Sequence, residues 1–181
     1  MEHFLELDAR WSQRLRVAEK PGLLRRAAII LAHSGDSWFW GLGCLAVWVF
    51  GDATWKYRAL AIVFGIAITA VAVQAIKYVV KRPRPPGEGG QMYRSVDPHS
   101  FPSGHAARVA MLAVLGTALG PPWFALILWI WAPLVALARV AMGVHYVSDV
   151  SVGAVLGALF GGLAAYLAPL VFAFWPLTLL L

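Results

Sequence analysis

Three small polar clusters interrupt a chain that is otherwise apolar. One consists of Arg139, His145 and Asp149, spaced six and four apart. Residues four apart share a helix face, so His145 and Asp149 point the same way. A carboxylate bonded to one imidazole nitrogen fixes the tautomer and leaves the other nitrogen as a nucleophile. The same pair also reads as a buried hydrogen bond with no chemical role. A second cluster is Pro102-Ser103-Gly104-His105. Here Ser103 is an ordinary helix N-cap. Gly104 at a helix start lets backbone N–H groups approach a phosphate closely. His105, in the first turn, is placed to give a proton to a leaving oxygen. The third cluster is Lys77 with Arg84-Pro85. A point charge and a planar fork of donors together suit a phosphate oxyanion, although both also read as positive flanks of an apolar segment. Lys81 and Arg82 read as flanking charges alone.

Around these clusters lie weaker candidates. Arg108, one turn beyond His105, reads either as a contact to a substrate headgroup or as a snorkelling side chain. His99, just before Ser103, is a candidate substrate contact, whereas His3 and His33 read as surface or interfacial residues. Asp149 is the one acidic residue within the clusters, with Glu88 and Asp97 in the loop nearby. Magnesium sites want several carboxylate oxygens, and the chain has no zinc-binding pattern. The expectation is therefore no metal and no cofactor, with Lys and Arg side chains neutralising phosphoryl charge.

The elements that carry these clusters belong in a membrane. Of 181 residues, 60% are hydrophobic and 13% charged, against about 25% charged in an ordinary soluble domain. That excludes a disordered chain and argues against a soluble globule. Nine Trp fit a protein with two membrane–water interfaces. The net charge of +6 lies beside apolar segments, which favours anionic lipid or a phosphorylated substrate over nucleic acid. The single Cys44 cannot form an internal disulfide. The first sixteen residues read as too acidic and amphipathic for a cleavable signal peptide.

Residues 1–20 are predicted to form an interfacial amphipathic helix, with Phe4, Leu7, Trp11 and Leu15 on one face. Residues 21–181 are predicted to form one integral-membrane domain. Its expected architecture is an all-α polytopic helix bundle of five transmembrane helices, or six if residues 21–35 cross. Successive spans bring Lys77 and Arg84, Ser103 to His105, and Arg139 to Asp149 to one membrane face. Ionisable residues at such a place are costly, and function is their default explanation.

These three clusters, in this order, resemble the type 2 phosphatidic acid phosphatase superfamily, which also contains the vanadium haloperoxidases. The family pattern is Lys-x6-Arg-Pro, Pro-Ser-Gly-His and Ser-Arg-x5-His-x3-Asp, and the match covers roughly residues 57–165. The resemblance implies a small bacterial lipid phosphate or diphosphate phosphatase that works without metal. His145 would be the nucleophile forming a phosphohistidine, Asp149 its orienter and His105 the acid. Lys77, Arg84, Ser103, Gly104 and Arg139 would hold the phosphoryl oxygens. Implied substrates are undecaprenyl diphosphate, phosphatidic acid, phosphatidylglycerophosphate or a lipid A phosphate. Ala138 stands where the family has Ser, which is expected to remove a hydroxyl from the phosphate cradle.

Three other readings compete. A haloperoxidase would share the residues but belongs to soluble relatives. A lipid phosphotransferase would use the same site. A silent lipid-binding or transport protein would be expected to have lost His105, His145 or Asp149, and all are present. The expected location is the inner membrane, multi-pass, with the site on the extracytoplasmic face. Asp149 is expected to favour the charged form of His145 and raise its pKa.

Overall fold

A computed structural model describes residues 2–17, 20–87 and 97–174. Glu88 and the tail containing Pro176 lie outside the described residues. Among the described residues the chain is all-helical, with α1 Glu2–Arg14, α2 Leu23–Ser34, α3 Ser37–Phe50, α4 Ala53–Val80, α5 Gly104–Leu119, α6 Pro122–Ala141 and α7 Val147–Phe174. The architecture is a membrane helix bundle. Three of the helices, α4, α6 and α7, are long and apolar enough to cross a bilayer, and α3 and α5 are shorter apolar helices.

Local chemistry sets the helix ends. Asp52 caps α4 by accepting from the Trp55 N–H at 2.9 Å, which satisfies one of the orphan donors of the first turn. Lys81 ends the same helix in the left-handed region at φ 51°. Pro122 opens α6, where its missing N–H is not needed. After α6, Gly143 takes φ +67°, a backbone conformation that other residues adopt only under strain. That turn throws His145 back toward the bundle.

The centre of the molecule is α5. Beyond His105 and Arg108 near its start it is almost wholly apolar, and a helix of that kind is buried among its neighbours. Val109, Met111, Leu112 and Leu115 are buried against Leu128, Ala132 and Val135 of α6 and Ala164 of α7. A strip of glycines on α7 lets its backbone lie directly on α5. A Cβ at Gly157 would fall 1.9 Å from the Ala107 carbonyl oxygen, and one at Gly153 would fall 2.5 Å from that of Ser103. Small residues spaced four apart are how membrane helices approach closely, since lipid supplies no hydrophobic drive between them. The outer faces of α4, α6 and α7 expose Val71, Ile130, Leu137, Leu159 and Leu163, an apolar belt suited to lipid.

α2 and α3 behave as one broken helix. Ala28 and Ala32 pack with Ala138 and Met142 of α6, Gly35 lies against Val135, and Trp40 meets Trp131 at 5.4 Å. The partners on α6 thus descend steadily as the chain advances, so α2 and α3 run in one direction along α6. The break at Ser34-Gly35-Asp36 is sealed by side chains. Trp131 Nε1 donates to Ser34 Oγ at 2.9 Å, and Arg108 Nη1 donates to the Gly35 carbonyl at 2.5 Å. Irregular backbone at membrane depth persists only where protein groups satisfy it in this way. Residues 21–35 and α3 therefore follow one another in the same direction along α6. Taken alone, the polar run His33 to Asp36 looks like a surface turn.

Candidate active site

The ends of α4 and α6 and the starts of α5 and α7 meet at one side of the bundle around a cavity of about 230 Å³. Lys77, Arg84, Gly104, His105, Arg108, Arg139 and His145 all line it, together with Asp97. Lys77 is 3% exposed, Arg84 3% and Arg139 1%. Three cations so deeply buried require an anion, because unpaired charge in a low dielectric is very costly.

In this structure Asp97 supplies part of that anion. Lys77 Nζ donates to Asp97 Oδ2, and Arg84 Nη2 donates to the same oxygen at 2.9 Å. Arg84 Nε also donates to the Asp97 carbonyl at 2.7 Å. Burial pushes the Asp97 carboxyl up, but the Lys77 hydrogen bond and the charges of Lys77 and Arg84 outweigh it and hold it below the usual carboxylate range.

His145 sits beside this cluster and is 1% exposed. Its Nε2 lies 3.3 Å from Arg84 Nη1. A guanidinium can only donate, so Nε2 is the acceptor and the ring proton belongs on Nδ1. Nδ1 in turn lies 3.5 Å from Asp149 Oδ2, which already accepts from the Tyr146 N–H at 2.9 Å. The lone pair of Nε2 is therefore aimed at Arg84 in the cation cluster. Burial first, and then the charges of Arg139, Arg84 and Lys77, hold the imidazole well below its ordinary pKa. Burial first, and the three cations with it, reverse the rise expected from Asp149. The result is a neutral imidazole, which a nucleophile must be.

Asp149 does not line the cavity; it stands behind His145, 0% exposed. Arg82 Nη1 donates to Asp149 Oδ1 at 2.7 Å. Arg82 is thus no flanking charge. The sequence gave no signal for this, since a Lys-Arg pair after an apolar span is what any membrane protein carries there. His105 Nε2 lies 2.6 Å from Asp36 Oδ1, and Asp36 Oδ2 lies 3.0 Å from His33 Nδ1. His33 is therefore a member of a His–Asp–His chain, and Asp36 is a site residue that its position 69 residues upstream concealed.

Other expectations are corrected. Ser103 does not line the cavity; it is fully buried and its hydroxyl caps α5 by accepting from the Ala106 N–H at 3.4 Å. Its N–H donates to the Asp149 carbonyl at 3.0 Å, tying the two helix starts together. His99 is not in the lining and pairs through its backbone with Pro83. Arg108 lines the cavity while one of its nitrogens holds the helix break. Ala138 packs against Ala28 and Ala32 of α2 rather than facing the phosphate cradle. Among the described residues, no three His, Cys, Asp or Glu side chains group as metal ligands.

Residues 58–172 match the PAP2 superfamily, and the chain belongs to it. By that membership it is a membrane lipid phosphatase. The chain is 32% identical to the decaprenylphosphoryl-5-phosphoribose phosphatase of Mycobacterium tuberculosis over 154 residues, 81% of each chain. It is 30% identical to a lipid A 1-phosphatase of Porphyromonas gingivalis, covering 66% of this chain and 26% of that one. Its fold matches a PAP2-type phosphatidylglycerolphosphate phosphatase from Bacillus subtilis at TM-score 0.73 and 23% identity, over 97% of this chain and 90% of the other. It also matches Aquifex aeolicus LpxE at TM-score 0.67 and 22% identity, over 85% and 93% of the chains.

Proposed function

We propose that this protein removes a terminal phosphate from a long-chain membrane lipid through a phosphohistidine at His145, without a metal. The observation that carries this is His145 Nε2, its lone pair turned to Arg84 at 3.3 Å inside a cavity lined by Lys77, Arg139 and His105. Nε2 attacks phosphorus, and the bond from phosphorus to the lipid oxygen breaks. His105 gives that oxygen its proton. His105 enters this step as the imidazolium: Asp36 accepts from Nε2–H, and the proton on Nδ1 passes to the leaving oxygen, which leaves the ring neutral to take a proton from water. Water then attacks the phosphohistidine, His105 takes a proton from it, and orthophosphate leaves with His145 restored. Lys77, Arg84, Arg139 and the Gly104 N–H offset the charge on the equatorial oxygens, which is the main task in phosphoryl transfer.

An apolar cavity of about 820 Å³ supports a long hydrocarbon substrate. It runs from His33 and Ser34 at the helix break to Trp55 and Arg58 at the other end of the bundle. One hydrogen-bonded step through Asp36 joins His33 to His105. The lipid tail would thus lie on the leaving-group side. A prenyl-linked sugar phosphate is the first substrate to test, because the Mycobacterium tuberculosis relative named above acts on one.

We infer also that the site faces the cytoplasm. With α2 and α3 sharing one passage, the bundle makes five crossings, and Arg10, Arg14 and Arg16 lie on the side of the site. Excess Lys and Arg mark the cytoplasmic side. This reverses the outward orientation expected from the sequence.

The test is phosphate release from a panel of lipid monoesters and diphosphates in detergent with EDTA present. Turnover that persists in EDTA and an acid-labile phosphate on the wild-type protein that His145→Ala lacks are expected. Activity that needs added magnesium, or that survives His145→Ala in a folded protein, overturns the mechanism.

A further inference from the structure

The N-terminal helix is not needed to build the cavity, yet its polar strip is buried. Asp8 is 7% exposed and Ser12 1%. Both point at the segment that carries the nucleophile. Asp8 Oδ1 accepts from the Ser148 N–H at 3.0 Å, and Asp8 Oδ2 accepts from Arg82 Nη2 at 2.7 Å and from the Ser148 hydroxyl. Ser12 Oγ accepts from the Val147 N–H at 2.9 Å. Two side chains of α1 thus cap the first orphan donors of α7, the helix that starts two residues after His145. The other fork of Arg82 holds Asp149 Oδ1 at 2.7 Å, and the guanidinium lies over the Tyr146 ring at 3.9 Å.

The outer side of α1 has a different character. Phe4 is 61% exposed and Trp11 59%, with Leu7 at 37%. They flank the buried strip, and Arg10 and Arg14 lie further round the helix. This helix is joined to a membrane bundle, so the occupant of its apolar side is the bilayer surface itself. Aromatic residues settle at that depth, and Arg side chains beside them favour anionic headgroups.

We propose that α1 is a lipid-facing clamp on the nucleophile, with Asp8 as a positioning residue that acts through Arg82 and Asp149 on His145. Phe4 and Trp11 hold the helix at the bilayer surface, and Asp8 and Ser12 transmit that position to the start of α7. The proposal rests on His145 being the nucleophile.

The experiment compares purified variants in detergent and in vesicles of phosphatidylcholine with phosphatidylglycerol. Asp8→Asn keeps the shape of the side chain but drops the charge that faces Arg82. It is expected to lower kcat at least tenfold with KM within twofold, and Asp8→Glu should recover part of the loss. Asp8→Asn and Asp149→Asn should be strongly non-additive, as residues in one network are. Phe4→Ser with Trp11→Ser should keep full turnover in detergent and lose severalfold in anionic vesicles. If Asp8→Asn does not fold, Ser12→Ala replaces it, with a smaller loss confined to kcat. Wild-type kcat in the Asp8 or Ser12 variant, no loss in anionic vesicles for Phe4→Ser with Trp11→Ser, or additive losses with Asp149→Asn overturns the clamp. His145→Ala separates the two readings: if it is active, the nucleophile is wrong, whereas if it is dead and Asp8→Asn is fully active, only the clamp fails.

Discussion

His105 and Asp36 are 69 residues apart in sequence, and their side chains lie 2.6 Å apart, Nε2 to Oδ1. The carboxylate comes from a break in a helix rather than from any of the three motifs. It fixes the tautomer and the orientation of the ring that faces the leaving group, as second-sphere carboxylates do for other functional imidazoles. Asp36→Asn should therefore slow turnover, by less than the roughly 10²–10⁴-fold that a positioned acid itself contributes. The loss should be larger on an alkyl phosphomonoester than on a lipid diphosphate, because phosphate is the better leaving group. Equal losses on the two substrates would place Asp36 in folding rather than in proton delivery.

The pH–rate profile follows from His145. The imidazole must be neutral to attack, and burial with Arg139, Arg84 and Lys77 holds it well below its ordinary value. The neutral form thus persists as pH falls through about 6.5, where a free histidine would protonate. The acid limb of kcat/KM should lie well below the ordinary histidine value of about 6.5 in the wild-type protein. Lys77→Met and Arg84→Met each remove a cation and should move that limb upward, besides lowering the rate. An acid limb at or above pH 6.5 in the wild type would contradict this electrostatic account.

Asp97 occupies donors that a substrate phosphate also needs. Its carboxylate bridges Lys77 and Arg84. Asp97→Asn leaves two buried cations short of an anion, which costs about 3–5 kcal/mol when one partner of a buried pair is removed. The variant should unfold at lower temperature in detergent, and orthophosphate or vanadate should raise its midpoint more than the wild type's. Both anions should also inhibit it at lower concentration. Weaker inhibition would mean that Asp97 helps to hold the phosphoryl group instead of competing with it.

Gly157 is where α7 rests on α5, and a Cβ there meets the Ala107 carbonyl oxygen at 1.9 Å. No rotamer relieves a clash with backbone. Gly157→Val should force the helices apart and cost more than the roughly 1–3 kcal/mol of ordinary overpacking. Because Ser103 and Asp149 are joined by a backbone hydrogen bond at the same interface, activity should fall along with thermal stability. Full activity in this variant would show that the interface tolerates separation.

The sequence by itself determined the membrane environment and which polar residues converge on the candidate site. An apolar composition with charge confined to a few places imposes a helical membrane bundle, since backbone groups in lipid must bond within their own segment. Lys77, Arg84, His105, Arg139 and His145 were legible because each is expensive in that setting. Asp149 was legible because it stands one helical turn after His145. What the sequence left open depends on which backbone lies beside which, and spacing along the chain carries no record of that. Asp36, Asp97, Arg82 and Asp8 are acidic or basic residues near the ends of apolar segments, where solvent-facing charges are also common. Only packing distinguishes them. The break after Ser34 is hidden for the same reason, since four polar residues suit a surface turn until Trp131 and Arg108 close over them. The depressed His145 is a tertiary property too. It comes from burial first and then from Arg139, Arg84 and Lys77, which spacing along the chain does not place beside it, and electrostatic energy depends on distance through space.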